Sequence, residues 1–196
     1  MVDILSVLHH GLGIKPDYAA HTYNIFERIA IEDYLWSPIA VTITASAIAA
    51  NTLYAMPYPI ARDRTTSHIA IQVSTGAVAG VARLGLYADN GSCYPGALIA
   101  DSGEFSVADV ELSTNVFVQT VAPGLYWAAL ISNGTPTLYR INAGLYITER
   151  DGAAPLMYVG LEKASSTYGA LSGFDPFPAA ATGGYKGTGV MLRFSA

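Results

Sequence analysis

The chain has 196 residues, 52% of them hydrophobic and only 13% charged, with a formal net charge of −5. This length fits one domain with room for a short appendage, and the apolar content excludes a disordered chain. Ten Lys and Arg are scattered singly, so the basic patch of a nucleic-acid binder is missing; the low charge suits a surface buried against copies of itself or a larger assembly.

Residues 1–33 hold three of the four histidines, His9, His10 and His21. Ile4–His10 suits a short helical piece, and Tyr23–Glu32 a second, with Ile25, Ile29 and Phe26 on one face. Neither piece is long enough to stand alone in water. The segment 1–33 therefore reads as an arm that gains structure by lying on something else, with Ile4, Leu5, Leu8, Ile25, Phe26 and Ile29 as its anchoring side chains. The other reading is a strand or loop wrapping its own sandwich. The opening MVDILSVLHHGLGI has no basic start, long apolar stretch or cleavage site, so no export signal is expected. No apolar run reaches the roughly 18–20 residues of a membrane span, and no membrane insertion is expected.

From Tyr34 onward, short apolar runs are cut by chain-reversing dipeptides, the rhythm of an antiparallel β-sandwich or barrel. Ile39 to Thr44 and Asn51 to Tyr58 are the first strand candidates. Next, Ile69, Ile71 and Val73 point one way and His68, Ala70, Gln72 and Ser74 the other, as in a half-buried strand. His68 then reads as a solvated residue. Leu84 and Leu86 alternate with Arg83, Gly85 and Tyr87 up to an Asp89-Asn90-Gly91 turn. Pro95-Gly96 and Pro123-Gly124 each offer the fixed φ and the positive φ of a type II turn. Leu125, Trp127, Ala129 and Ile131 share a face, and Trp127 is expected at the centre of the core.

Thr137–Ile141 and Leu145–Glu149 suit a hairpin or two adjacent strands, followed by an Asp151-Gly152 turn and a strand over Met157–Leu161. Residues 173–189 form a long Pro/Gly-rich loop. Val190, Leu192 and Phe194 alternate with Met191 and Arg193 in a last strand, expected to pair near the beginning of the sandwich. No helix longer than about three turns is expected after residue 50.

Little in this chain points to catalysis. A serine hydrolase needs a nucleophile, a base and an orienting acid; there is no G-x-S-x-G elbow, and His68 alone lies outside the arm. A glycosidase needs two carboxylates across a cleft. Asp101, Glu104, Asp109 and Glu111 instead cluster in one acidic stretch between strands, as solvated loop charges do. The single Cys93 excludes an internal disulfide, and no His–Asn pattern nominates it as a nucleophile. Neither the three arm histidines nor Asp89, Asn90 and Asp101 have the spacing of a metal site. No metal or cofactor is expected. Aromatic rings offer a face to sugars and also fill subunit interfaces. Tyr94, Tyr139, Tyr168 and Tyr185, in or beside loops, are candidates for either contact.

The pieces ANTLYAMPYPIARDRTTSHIAIQVSTG, RLGLYADNGSCYPGALIADSG, VAPGLYWAALISNG and GFDPFPAA, followed by the terminal VMLRFSA, arrive in one order over roughly residues 34–196. Together they resemble a jelly-roll module recurrent in tailed-bacteriophage virion proteins, especially tail-fibre and related appendage proteins. The resemblance implies an all-β, antiparallel jelly-roll sandwich at 34–196 behind the anchoring arm at 1–33, without catalytic residues or cofactor. It further implies a structural role in a virion assembled in the host bacterial cytoplasm, at a tail fibre or baseplate, with contact to host-surface glycans through the loops. The expected partners are other virion proteins and further copies of the chain, most simply as a homotrimer. The alternative is a capsid cement protein that stabilises the head, with its arm lying across capsomers. A small carbohydrate-active enzyme is the lesser alternative.

Overall fold

The computed structural model describes residues 30–31, 34–37, 40–144, 147–151, 154–158, 160–172, 182–184 and 187–195. These residues form strands and, among them, no helix. In chain order the strands are β1 (Ala30–Ile31), β2 (Tyr34–Trp36), β3 (Ala40–Ala47), β4 (Leu53–Ile60), β5 (Arg64–Thr75), β6 (Val81–Asp89), β7 (Pro95–Ser106) and β8 (Leu112–Val116). They continue with β9 (Thr120–Val121), β10 (Gly124–Ser132), β11 (Thr137–Gly144), β12 (Ile147–Asp151), β13 (Ala154–Tyr158), β14 (Gly160–Lys163), β15 (Thr182–Gly184) and β16 (Met191–Phe194).

Two antiparallel sheets pack face to face as a β-sandwich. The first runs β1-β2-β16-β5-β11-β3, with β8 and β9 also paired to β5; the second runs β15-β14-β4-β10-β6-β7. β5 organises the first sheet. His68 lies opposite Arg193 of β16 and opposite Val116 of β8, so β5 is flanked on both sides, and its far end meets β11 at Val73 and Thr75. As the alternation predicts, Ile69, Ile71 and Val73 all face the main core. There they join Leu138 and Leu192 of their own sheet and Tyr54, Tyr58, Leu84, Leu86, Ala128 and Leu130 of the other. Each such side chain contributes about 1.5–3 kcal/mol when fully removed from water. The last strand pairs with β2, near the beginning of the sandwich, as expected.

Several expectations are corrected. The reverse face of β5 is not simply solvated: Ala70 is fully buried, in a second cluster with Tyr34, Met56, Ile141 and Met191. The cause is Tyr34, which crosses this face to share a 2.8 Å hydrogen bond with Thr114 Oγ1 on β8. His68 is half-buried, its ring 6.3 Å from that of Tyr34 in an edge-on arrangement, and its Nδ1 is buried without a hydrogen-bond partner among the described residues. Trp127 is fully buried but stands outside the main core, on the reverse face of the second sheet; Ala128 and Leu130 are the inward positions of β10.

Neither Pro-Gly dipeptide forms the expected type II turn; both lie where strands begin. Pro95 opens β7 opposite Asp89, Gly124 opens β10, and neither Gly96 nor Gly124 has a positive φ. The reversal before β7 uses Gly91 at φ 88° and Cys93 at φ 60°. The helix expected over Tyr23–Glu32 is not continued at its end, where Ala30 and Ile31 are strand residues paired with β2. The pieces expected as a hairpin belong to different sheets, because β12 pairs with β13 and β11 pairs with β3 and β5. Met157–Leu161 divides between β13 and β14, and β15 lies inside the segment expected to be all loop.

Candidate functional site: the roofed aromatic face

The richest convergence of polar and aromatic groups lies on the outer face of the second sheet. Alternation along β6 and β10 turns Leu84, Leu86, Ala128 and Leu130 inward, which sends Tyr87, Trp127, Ala129 and Ile131 outward. Leu53 and Ala55 of β4 and Leu161 of β14 extend this apolar surface. Left bare, it would be a large exposed patch. The chain following β14 covers it, with Tyr168 and Leu171 packed onto the aromatic cluster beside Tyr94 and Leu98.

Four hydrogen bonds pin this strap. Ser166 N donates to Asn51 O at 2.8 Å, beside the start of β4. Tyr168 Oη donates to Glu104 Oε2 at 2.9 Å, and Leu171 N donates to Asp101 Oδ2 at 2.9 Å, both on β7. Tyr87 Oη donates to Ser172 O at 2.8 Å. The strap therefore spans the sheet from β4 to β7. Gly85 makes room beneath it: a Cβ there would stand 2.5 Å from Leu171 Cδ1 and 3.1 Å from Ala100 O.

Asp101 is the electrostatic hub. Arg83 holds it through Nε at 3.0 Å and Nη2 at 2.9 Å, and the amides of Gly103 and Leu171 donate to its two oxygens. The bond to Asp101 outweighs the cost of burial and raises the guanidinium pKa of Arg83 above its usual value. Burial, and then the charge of Asp101, pushes the Tyr87 phenol upward. Tyr168 is likewise raised, first by burial and then by its hydrogen bond to the Glu104 carboxylate. At the far end of β6, Trp127 Nε1 donates to Asp89 Oδ1 at 2.9 Å, and the amide of Gly91 donates to Asp89 Oδ2 at 2.8 Å.

This arrangement holds structure together. The oxygens of Asp101 are committed to four donors, and one oxygen of Glu104 receives a phenol. Both lie within β7, which corrects the expected acidic loop between strands; Asp109 and Glu111 are exposed beyond its end. Asp89 and Asn90 spend their side-chain oxygens on Trp127 and on the amides of Gly91 and Ser92. Among the described residues no three His, Cys, Asp or Glu side chains are grouped to hold a metal ion.

Of the four tyrosines singled out, the fold brings Tyr94 and Tyr168 to this one face, both half-buried. Tyr139 sits on β11 in the other sheet and is 40% exposed. Tyr185 lies outside the described residues, as do Ile4, Leu5, Leu8, Ile25, Phe26 and Ile29. Sequence reasoning passed over Arg83, Tyr87 and Asp89 as site residues, although the alternation with Leu84 and Leu86 already put Arg83 and Tyr87 on the reverse face. It also gave no warning of Arg140, a buried cation stacked 4.6 Å over the Tyr54 ring with Nε donating to Gly187 O, its pKa lowered by burial.

No protein-family model matches the chain, and the search of curated proteins yields no matching sequence.

Proposed function

We propose that the chain is a non-enzymatic structural protein of a bacteriophage virion, associated with a tail fibre or baseplate. The observation that carries this reading is the strand order. β3-β11-β5-β8 faces β4-β10-β6-β7, and between β3 and β11 the chain passes from sheet to sheet at most of its connections. That order supports a jelly roll, an architecture used in viral capsid and lectin domains. A fold alone carries no function, so the virion assignment rests equally on the sequence resemblance over residues 34–196. The commitment of Asp101 and Glu104 to internal bonds supports a role without catalysis. Val78, Val110, Val116 and Val118 stand well exposed, which supports assembly with other virion proteins or with further copies. Tyr139, the most exposed of the described tyrosine candidates, is the first to test for contact with a host-surface glycan.

The test is to separate purified virions into heads and tails and identify the chain in each by peptide mass spectrometry. Recovery with tails is the expected outcome. Recovery with heads replaces the tail role with that of a capsid cement, and absence from both removes the virion reading. In the same particles, deletion of residues 1–29 is expected to abolish incorporation while the purified sandwich keeps its cooperative melting. Normal incorporation of the truncated chain would end the anchoring role of that segment.

A further inference from the structure

Two Asn-Gly pairs occur in the chain, Asn90-Gly91 and Asn133-Gly134. An asparagine followed by glycine can lose ammonia without an enzyme. The glycine nitrogen attacks the asparagine side-chain carbonyl, and the lack of a Cβ lets it approach. By sequence the two pairs are equivalent. The fold treats them oppositely.

Asn133 is held away from its own glycine. Its Oδ1 accepts from Val81 N at 2.8 Å and its N donates to Val81 O at 3.1 Å, so it is fastened to the first residue of β6, 52 residues away in sequence. Gly134 N donates at 3.1 Å to Ser132 Oγ, a hydroxyl whose own proton goes to Val81 O. A hydroxyl is too weak a base to take an amide proton. Gly134 is also hemmed in: a Cβ there would stand 3.0 Å from Ala77 Cβ and 3.3 Å from Gly80 Cα.

Asn90 has the opposite surroundings. Asn90 and Gly91 are exposed, and nothing lies within 4 Å of a Cβ built on Gly91. Asn90 Oδ1 accepts from Ser92 N at 2.8 Å, which folds the side chain back over the next peptide. That N–H polarises the carbonyl and is in place for the negative charge that grows on Oδ1 during attack. Gly91 N donates to Asp89 Oδ2 at 2.8 Å, so a carboxylate stands where the amide proton must leave.

We propose that Asn90 is a site of self-catalysed deamidation, with Gly91 N as nucleophile, Asp89 as base and Ser92 N–H as donor to the oxyanion. Gly91 N bonds to Cγ of Asn90 as its proton passes to Asp89 Oδ2. Asp89 returns that proton to the departing Nδ2 as the Cγ–Nδ2 bond breaks, which releases ammonia and leaves a cyclic imide. Water, the one co-reactant, then opens the imide at either carbonyl to give aspartate or isoaspartate. Either product adds a negative charge beside Asp89, and isoaspartate lengthens the reversal between β6 and β7 by one main-chain methylene. This inference does not rest on the virion reading: the chain's absence from heads and tails would leave it standing.

The experiment incubates the full chain at neutral pH and follows both Asn-Gly peptides by mass spectrometry, with fragmentation to place each conversion. In the folded chain Asn90 is expected to convert at least about tenfold faster than Asn133, whose hydrogen bonds must break first. In concentrated guanidinium chloride the two rates are expected to converge. Equal folded rates, or a faster Asn133, overturn the inference. So does a ratio that persists in denaturant, because the preference would then belong to the local sequence and not to the fold. Asp89→Asn keeps the shape of the side chain and removes the base; it is expected to slow Asn90 at least about tenfold and leave Asn133 unchanged. Native speed at Asn90 in that variant overturns the role of Asp89. Should the variant fail to fold, the native chain decides, since the ratio of its two sites needs no substitution.

Discussion

Asp101 shows how one carboxylate fixes three separate stretches of chain. Arg83 approaches it from β6, Gly103 from its own strand, and Leu171 from the strap. The partnership with Arg83 was hidden from sequence reasoning by backbone slippage: register shifts between Arg83 and Gly85 along the β6–β7 ladder, so that Arg83 stands opposite Glu104 but binds Asp101. A bulge of this kind has no reliable sequence signal. Tyr168 carries a prediction at the same scale. Its phenol holds its proton more tightly when folded than the ordinary value of 10.0, through burial and its bond to Glu104. The resulting stabilisation is complete below about pH 10 and is lost as pH rises through the higher folded value. Tyr168→Phe is expected to remove one late-titrating tyrosine from the absorbance titration. An unchanged titration in the variant would contradict the assignment.

The strap over the aromatic face is an element without secondary structure of its own, and its place depends on what lies beneath it. Gly85→Ala tests this directly. The new methyl meets the flexible end of Leu171 and the fixed carbonyl of Ala100, so the leucine must yield. The expected cost is about 1–3 kcal/mol, with faster hydrogen exchange at the Leu171 amide and unchanged exchange at Ile69 and Ile71. Equal acceleration at all three sites would mean that the strap does not open separately. The strap also explains how much of the sheets was legible. The period of two along β5, β6 and β10 is local, and it correctly sorted Ile69, Ile71 and Val73 from their neighbours. Which face of β10 looks inward was not local, because the outer face is as apolar as the inner one once residues 160–172 cover it. For the same reason the Pro-Gly dipeptides misled: their local chemistry favours a turn, but ladder pairing with β6 draws Pro95 into the strand.

At the scale of the whole molecule, the all-β class and the sandwich were legible because turn spacing and strand length together exclude the alternatives. The order of the strands was not, since pairing between segments far apart in sequence leaves no periodic trace. The closing strand is the clearest case. Val190, Met191 and Leu192 are fully buried, and β16 fills the place between β2 and β5. Burial of three such side chains, at about 1.5–3 kcal/mol each, is comparable to the net stability of a whole domain, about 5–15 kcal/mol. Removal of residues 190–196 is therefore expected to abolish the cooperative thermal transition; a truncated chain that still melts sharply would contradict this account. The same pairing has a consequence for synthesis. Trp36 meets Met191 and Leu35 meets Leu192, so β2 leaves the ribosome long before the strand it pairs with has been made. Until β16 has been made, β2 lacks that partner, and the nascent chain keeps its apolar faces open to its neighbours on the same message.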